Sequence, residues 1–282
     1  MLLRPSEELN EIILGIIGKA LTLYPIQLHA CTVPSNHMHL ILTTPDINSL
    51  SRFMNYINSK IAREAGKLHG WREKFWGRRY RAIPILDDQS LLARMKYVLA
   101  HGCKEGLVKR PSDWLGVNCV AALINGKKMK GTWFDRTAEY NARKEGKAFE
   151  RYEFATSYEV VLTPPACWGS LDEEERRSRV KEIIDDIESE TKERLEKERG
   201  GVLGVRQVLA QAPWERPLKI KRSPAPWCHA SDGLTRKLYK LVYRKFVEVY
   251  QDAAEQLRRG ERNVRFPAHC FPPALAYTGA FI

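Results

Sequence analysis

No Cys-x-x-Cys pair occurs among the six cysteines of this sequence, at 31, 103, 119, 167, 228 and 270, which excludes a zinc ribbon and a thioredoxin-like redox motif. Scattered cysteines fit a reducing compartment, and a cytoplasmic location is expected. No segment approaches the roughly 18 to 20 consecutive apolar residues of a membrane span. The opening MLLRPSEELN carries no apolar core behind its basic residue, so no membrane contact and no secretory leader are expected. No internal repeat is present, which excludes a solenoid. Negative charge is the scarce sign: 34 Asp and Glu against 46 Lys and Arg leave a net +12. A field of that sign favours a polyanionic partner, nucleic acid first, although net charge speaks to association and not to fold. What is present is ordinary globular composition, 44% hydrophobic and 28% charged over 282 residues, enough for one large domain or a domain with an extension.

Between Glu8 and Leu23 the apolar positions Leu9, Ile12, Ile13, Ile16, Ile17 and Ala20 recur at three- and four-residue steps, the signature of an amphipathic helix, with Ser6 as its cap. IQLHACTV and HMHLILTT, split by Pro-Ser-Asn, read as a β-hairpin. Leu50, Phe53, Met54, Ile57 and Ile61 restore helical spacing, KFWGRRYRAIPIL alternates like a strand, and DDQSLLARMKYVLAHGCKEGLV is helical again. The order α, β, β, α, β, α over residues 8–108 predicts an α+β fold: a ferredoxin-like antiparallel sheet whose first strand is missing. Beyond it, NGKKMKGTWFDR reads as a turn-rich basic loop and TAEYNARKEGKAFERYEFA as a helix. Ser170 and Glu173 form a capping-box pattern ahead of a long charged helix, and GLTRKLYKLVYRKFVEVYQDAAEQLRRG predicts a second long helix. The expected organisation is a domain over 1–115, a basic mixed segment over 116–169 and a helical extension over 170–282.

His37 and His39 stand one residue apart in the second strand of the hairpin, so their imidazoles share a face while Met38, Leu40 and Leu42 take the packed one. Two neutral imidazoles on one face can hold a divalent cation, but the pair by itself reads first as two strand histidines. Tyr97 and His101 are four residues apart on the following helix, one turn of the same face, and a single docking of that helix sets a hydroxyl and a third imidazole over the pair. The competing reading makes Tyr97 a core aromatic among Met95, Val98 and Leu99. A zinc site from Cys228, His229, His269 and Cys270 fits no common ligand spacing.

VPSNHMHLILTTPD, KFWGRRYRAIPILDD and MKYVLAHGCKEGLVKRPSDW, in that order and spacing, resemble the HUH-type single-tyrosine transposases, in particular the group associated with repetitive extragenic palindromes. The likeness covers roughly residues 10 to 115. It implies His37 and His39 as metal ligands, Tyr97 as the catalytic tyrosine, and His101 at the position where relatives supply a third, usually amide, ligand. The implied activity is nicking and rejoining of single-stranded or hairpin DNA through a 5′-phosphotyrosine joint, with Mg²⁺ or Mn²⁺ as cofactor. Imidazole suits transition metals better than magnesium, which tilts the set toward Mn²⁺. Relatives act as monomers or dimers, so a homodimer is among the expectations. Relatives also carry a further strand beside the histidine strand and often Asn-Pro after the tyrosine, where this chain has His101-Gly102. Those departures keep open a non-catalytic DNA-binding descendant.

For DNA contact, WREKFWGRRYR interleaves aromatics with Arg72, Lys74, Arg78, Arg79 and Arg81, and Trp76 is its candidate stacking residue. The bland reading is an edge strand with core aromatics and solvated arginines. NGKKMKG and LKIKRSP are further basic candidates. A replication-initiator or relaxase nuclease would share the chemistry, but nothing here resembles the helicase or primase regions such proteins add.

Overall fold

The computed structural model describes residues 1–215, 224–261 and 263–274. Ser6 lies in extended backbone and its hydroxyl accepts from the Leu9 amide at 3.2 Å, so helix α1, Glu7–Leu23, starts where the cap predicts. Its buried face is Leu9, Ile12, Ile13, Ile16, Ile17 and Ala20, and each branched side chain buried there contributes about 1.5–3 kcal/mol. Pro25 stops the helix, leaving Tyr24 extended. Strand β1, Gln27–Thr32, then pairs antiparallel with β2, His39–Thr43, around a bulge between Leu28 and Ala30. Helix α2, Ile47–His69, buries Phe53, Met54, Ile57 and Ile61 as their spacing requires.

The α+β class stands, but the strand expected from KFWGRRYRAIPIL does not form. Residues 71–87 are irregular, apart from one isolated bridge at Ile85. The Trp76 indole donates to the Asn58 carbonyl on α2 at 2.8 Å, so the segment is tied to a helix and not to a sheet edge. Its exposed arginines, crowded at 78, 79 and 81, also disfavour a ladder. The chain then resumes as α3, Asp88–Leu99, and a four-residue helix α4, His101–Lys104. Ala100 between them keeps right-handed helical torsions, φ −75° and ψ −5°.

A second difference lies past a short helix α5, Val120–Asn125. The segment expected as a basic loop contains strand β3, Met129–Phe134, and the end of the expected helix is strand β4, Ala155–Val160; only α6, Arg136–Lys144, between them is helical. β3 and β4 pair antiparallel as a sheet separate from β1–β2. Tertiary packing decides this. α1 lies on the β3–β4 sheet with Gly15 against the Thr132 backbone and Gly131 against Glu11 and the Gly15 amide; a Cβ at either glycine would meet backbone at 2.2 Å. Two side-chain-free positions let helix and strand touch on the side of α1 that carries Glu11, Leu14, Gly15 and Gly18. Arg136 secures α6 to α2 through a bidentate pair with buried Glu64, Nε to Oε1 at 2.9 Å.

Helix α7, Glu173–Glu198, is capped by Asp172 with Glu175 in a reciprocal box, two residues later than the Ser170 pattern suggested. A short α8, Val205–Ala210, and the long α9, Gly233–Arg258, complete the elements. The chain divides into two compact units. One holds Met1–Pro45, Ser49–Arg81 and Leu92–Arg222, and the other Asp46–Asn48, Ala82–Leu91 and Ser223–Ile282. In the second, Asp87 caps Ser90 at 2.7 Å and accepts from the Ser231 amide at 2.7 Å, while Tyr239, Tyr243, Phe246 and Tyr250 stack along α9. Among the described residues no helix is long and apolar enough to cross a membrane.

Candidate metal and nucleophile site

The turn ahead of the histidines is pinned from three directions. The Leu3 amide donates to the Ser35 carbonyl at 2.8 Å, the Val33 amide to the Val117 carbonyl at 2.8 Å, and the Trp114 indole to the Val33 carbonyl at 3.1 Å. His37 therefore sits in a fixed turn just before β2, and His39 is the first residue of that strand. Asn36 Oδ1 bonds His37 Nδ1, which assigns the proton to Nδ1 and leaves Nε2 with its lone pair. That Nε2 is 3.0 Å from His39 Nε2.

The helical segment α3–α4 covers the histidine side of the hairpin. The His101 ring lies 4.8 Å from that of His37 and 4.4 Å from that of His39, and Tyr97 lies 5.5 Å from His39 and 5.7 Å from His101, centroid to centroid. This docking reverses the expected burial of β2: Ile41, on the histidine side, is buried at 5% exposure, whereas Leu40 and Leu42 are half-buried. The arrangement brings together all four residues singled out for chemistry.

Burial pushes the His39 imidazole down to about 3, with His101 and His37 adding to the effect and Glu105 opposing it. Burial also lowers His37, again against Glu105. At neutral pH these two rings are lone-pair donors, not cations. The three ligand atoms lie within 4.8 Å of one another. Bonds of about 2.1 Å to one ion set neighbouring nitrogens about 3.0–3.4 Å apart, which matches the His37–His39 separation. The donor set therefore fits a divalent cation. Among the described residues, Cys228, His229, His269 and Cys270 form no such group. His29 is structural, its ring bonded to the Thr163 carbonyl at 2.8 Å and the Thr43 hydroxyl at 2.9 Å.

Several neighbours of this site escaped sequence reasoning. Arg94 and Lys104 lie over the Tyr97 ring, their charged ends 5.1 and 4.7 Å from its centroid; helical spacing from Tyr97 could have flagged both. Helix α7 grips α3 and α4, with Lys96 paired to Asp186 at 3.1 Å and Glu190 at 2.8 Å, and with Arg194 donating to the Cys103 and Lys104 carbonyls at 2.7 and 3.0 Å. Nothing local in that charged helix announces its partner.

Arg72, Lys74, Arg78, Arg79 and Arg81 are exposed along the irregular segment, and among the described residues none is in an ion pair. Trp76 is half-buried against Phe75, with ring centroids 4.9 Å apart, and its indole is engaged by Asn58, so it anchors the segment. NGKKMKG falls on the turn into β3 and on the strand itself, and most of LKIKRSP, residues 218–223, lies outside the described residues.

Residues 5–101 match the family model described as IS200-like transposases, about a third of the chain, ending on His101 and so spanning both histidines of the pair and Tyr97. No curated protein and no solved structure matches the chain.

Proposed function

We propose, on the premise that residues 5–101 match IS200-like transposases, that this protein nicks and rejoins single-stranded DNA through Tyr97. The observation that carries the reading is the convergence of Tyr97 on three imidazoles contributed by a turn, a strand and a helix. A divalent cation on His37, His39 and His101, Mg²⁺ or Mn²⁺, would polarise the scissile phosphate and offset charge growing on its oxygens. Tyr97 supplies the nucleophile: its oxygen forms the bond to phosphorus as the 3′ oxygen of the preceding nucleotide leaves. The resulting phosphotyrosine ester keeps the energy of the phosphodiester, so a 3′ hydroxyl can reverse the step without an external energy source. Neutral His37 and His39 suit this role, because lone pairs are available at pH 7 without losing protons first. The exposed cations of 72–81 suit the DNA backbone, whose phosphates an exposed basic run can neutralise without reading sequence.

The test is a covalent protein–DNA adduct on a single-stranded hairpin oligonucleotide with Mn²⁺. The adduct is expected with the native chain and absent with Tyr97→Phe; an adduct that persists in that variant refutes the assignment. Salt-sensitive binding without an adduct at any metal concentration would point to a non-catalytic DNA-binding protein instead.

A further inference from the structure

Two cations stand beside the Tyr97 ring. Arg94 is one turn before Tyr97 on α3, and Lys104 is seven residues after it at the end of α4, so helical geometry brings both to the tyrosine's face. The Arg94 guanidinium carbon is 5.1 Å and the Lys104 ammonium nitrogen 4.7 Å from the ring centroid. A single cation over an exposed aromatic ring is worth about 0.5–1 kcal/mol, and a second one beside it works against the first, so ring packing alone gives no reason for the pair. Neither cation makes an ion pair among the described residues, in contrast to Lys96 on the same helix, which has two carboxylates. Arg94 is half-buried, which limits its freedom, and its planar fork suits two oxygens of one phosphate.

We infer that Arg94 and Lys104 form a phosphodiester-binding clamp beside the Tyr97 nucleophile. The inference rests on the reading of Tyr97 as the attacking group, but the binding itself requires neither metal nor cleavage. The clamp holds the non-bridging oxygens next to the phenol and meets the charge they gain as the new bond forms.

The experiment uses the full chain, with its tyrosines ¹³C-labelled and EDTA present, titrated with the dinucleotide phosphodiester dTpT and followed by NMR. Tyr97→Phe assigns the Tyr97 ring signal. A saturable shift of that signal is expected in the wild type, with at least about tenfold weaker binding in Arg94→Gln/Lys104→Gln, which loses the charge-assisted hydrogen bonds of both cations. Lys104→Gln alone, at an exposed position, should weaken binding several-fold with no effect on folding. No shift in the wild type, or equal affinity in the double variant, overturns the clamp. The adduct assay separates the two readings. A double variant that forms adduct at the wild-type rate removes the clamp and leaves the Tyr97 assignment intact. A wild type that binds dTpT through these two residues yet forms no adduct keeps the clamp and removes the cleavage reading.

Discussion

Acid should unfold the EDTA-treated protein sooner than it unfolds the same protein carrying His39→Gln. The folded His39 ring titrates at about 3, because burial and the two neighbouring imidazoles oppose its protonation, whereas an unfolded histidine titrates near 6.5. With the folded value depressed, the unfolded chain takes up a proton that the folded chain refuses. Stability is therefore full above pH 6.5, falls as the pH drops through 6.5, and stops falling near pH 3. At about 1.4 kcal/mol per pH unit, the penalty at pH 4.5, two units below the unfolded value, is about 3 kcal/mol, and the lowered His37 adds in the same direction. Urea unfolding at pH 7.5 and pH 4.5 measures it. Carboxylates stabilised in the fold, such as Glu139 beside Arg136, also weaken the protein in acid, but equally in both chains, so they cancel in the comparison. The wild type should lose about 3 kcal/mol more than the variant over that interval. Equal losses would falsify the picture of a buried, mutually repelling histidine cluster.

Gly131→Ala would drive a methyl into the Glu11 carbonyl and the Gly15 amide, at 2.2 and 2.3 Å, neither of which can move without shifting α1. A loss of about 2–3 kcal/mol in urea unfolding is expected, and a change within about 0.5 kcal/mol contradicts the close crossing. Arg194→Ala removes the donors to the last carbonyls of α4, so adduct formation should slow several-fold with little change in DNA affinity, and Arg194→Lys should recover part of the rate. An unaltered rate in Arg194→Ala would show that α7 does not position the nucleophile helix.

Much of the chain's local structure is written in its sequence. Ser6 and the three-four spacing of isoleucines set α1, Phe53 to Ile61 set α2, and Pro-Ser-Asn between two apolar runs sets the β1–β2 hairpin, because each depends on neighbours within one or two turns. The spacing of Tyr97 and His101 likewise fixes a shared face before any docking is known. What only the tertiary structure decided is every feature that needs a distant partner. KFWGRRYRAIPIL alternates like a strand but finds no ladder and is held to α2 by Trp76; MKGTWF reads as a loop but becomes a strand because Gly131 lets α1 approach. His37 and His39 gain a third imidazole only because α3–α4 folds across them, and α7 keeps that segment in place with carboxylates 90 and 94 residues away in the chain. Periodicity records which face of an element is apolar, whereas the partner of that face is chosen by packing and charge across the whole domain.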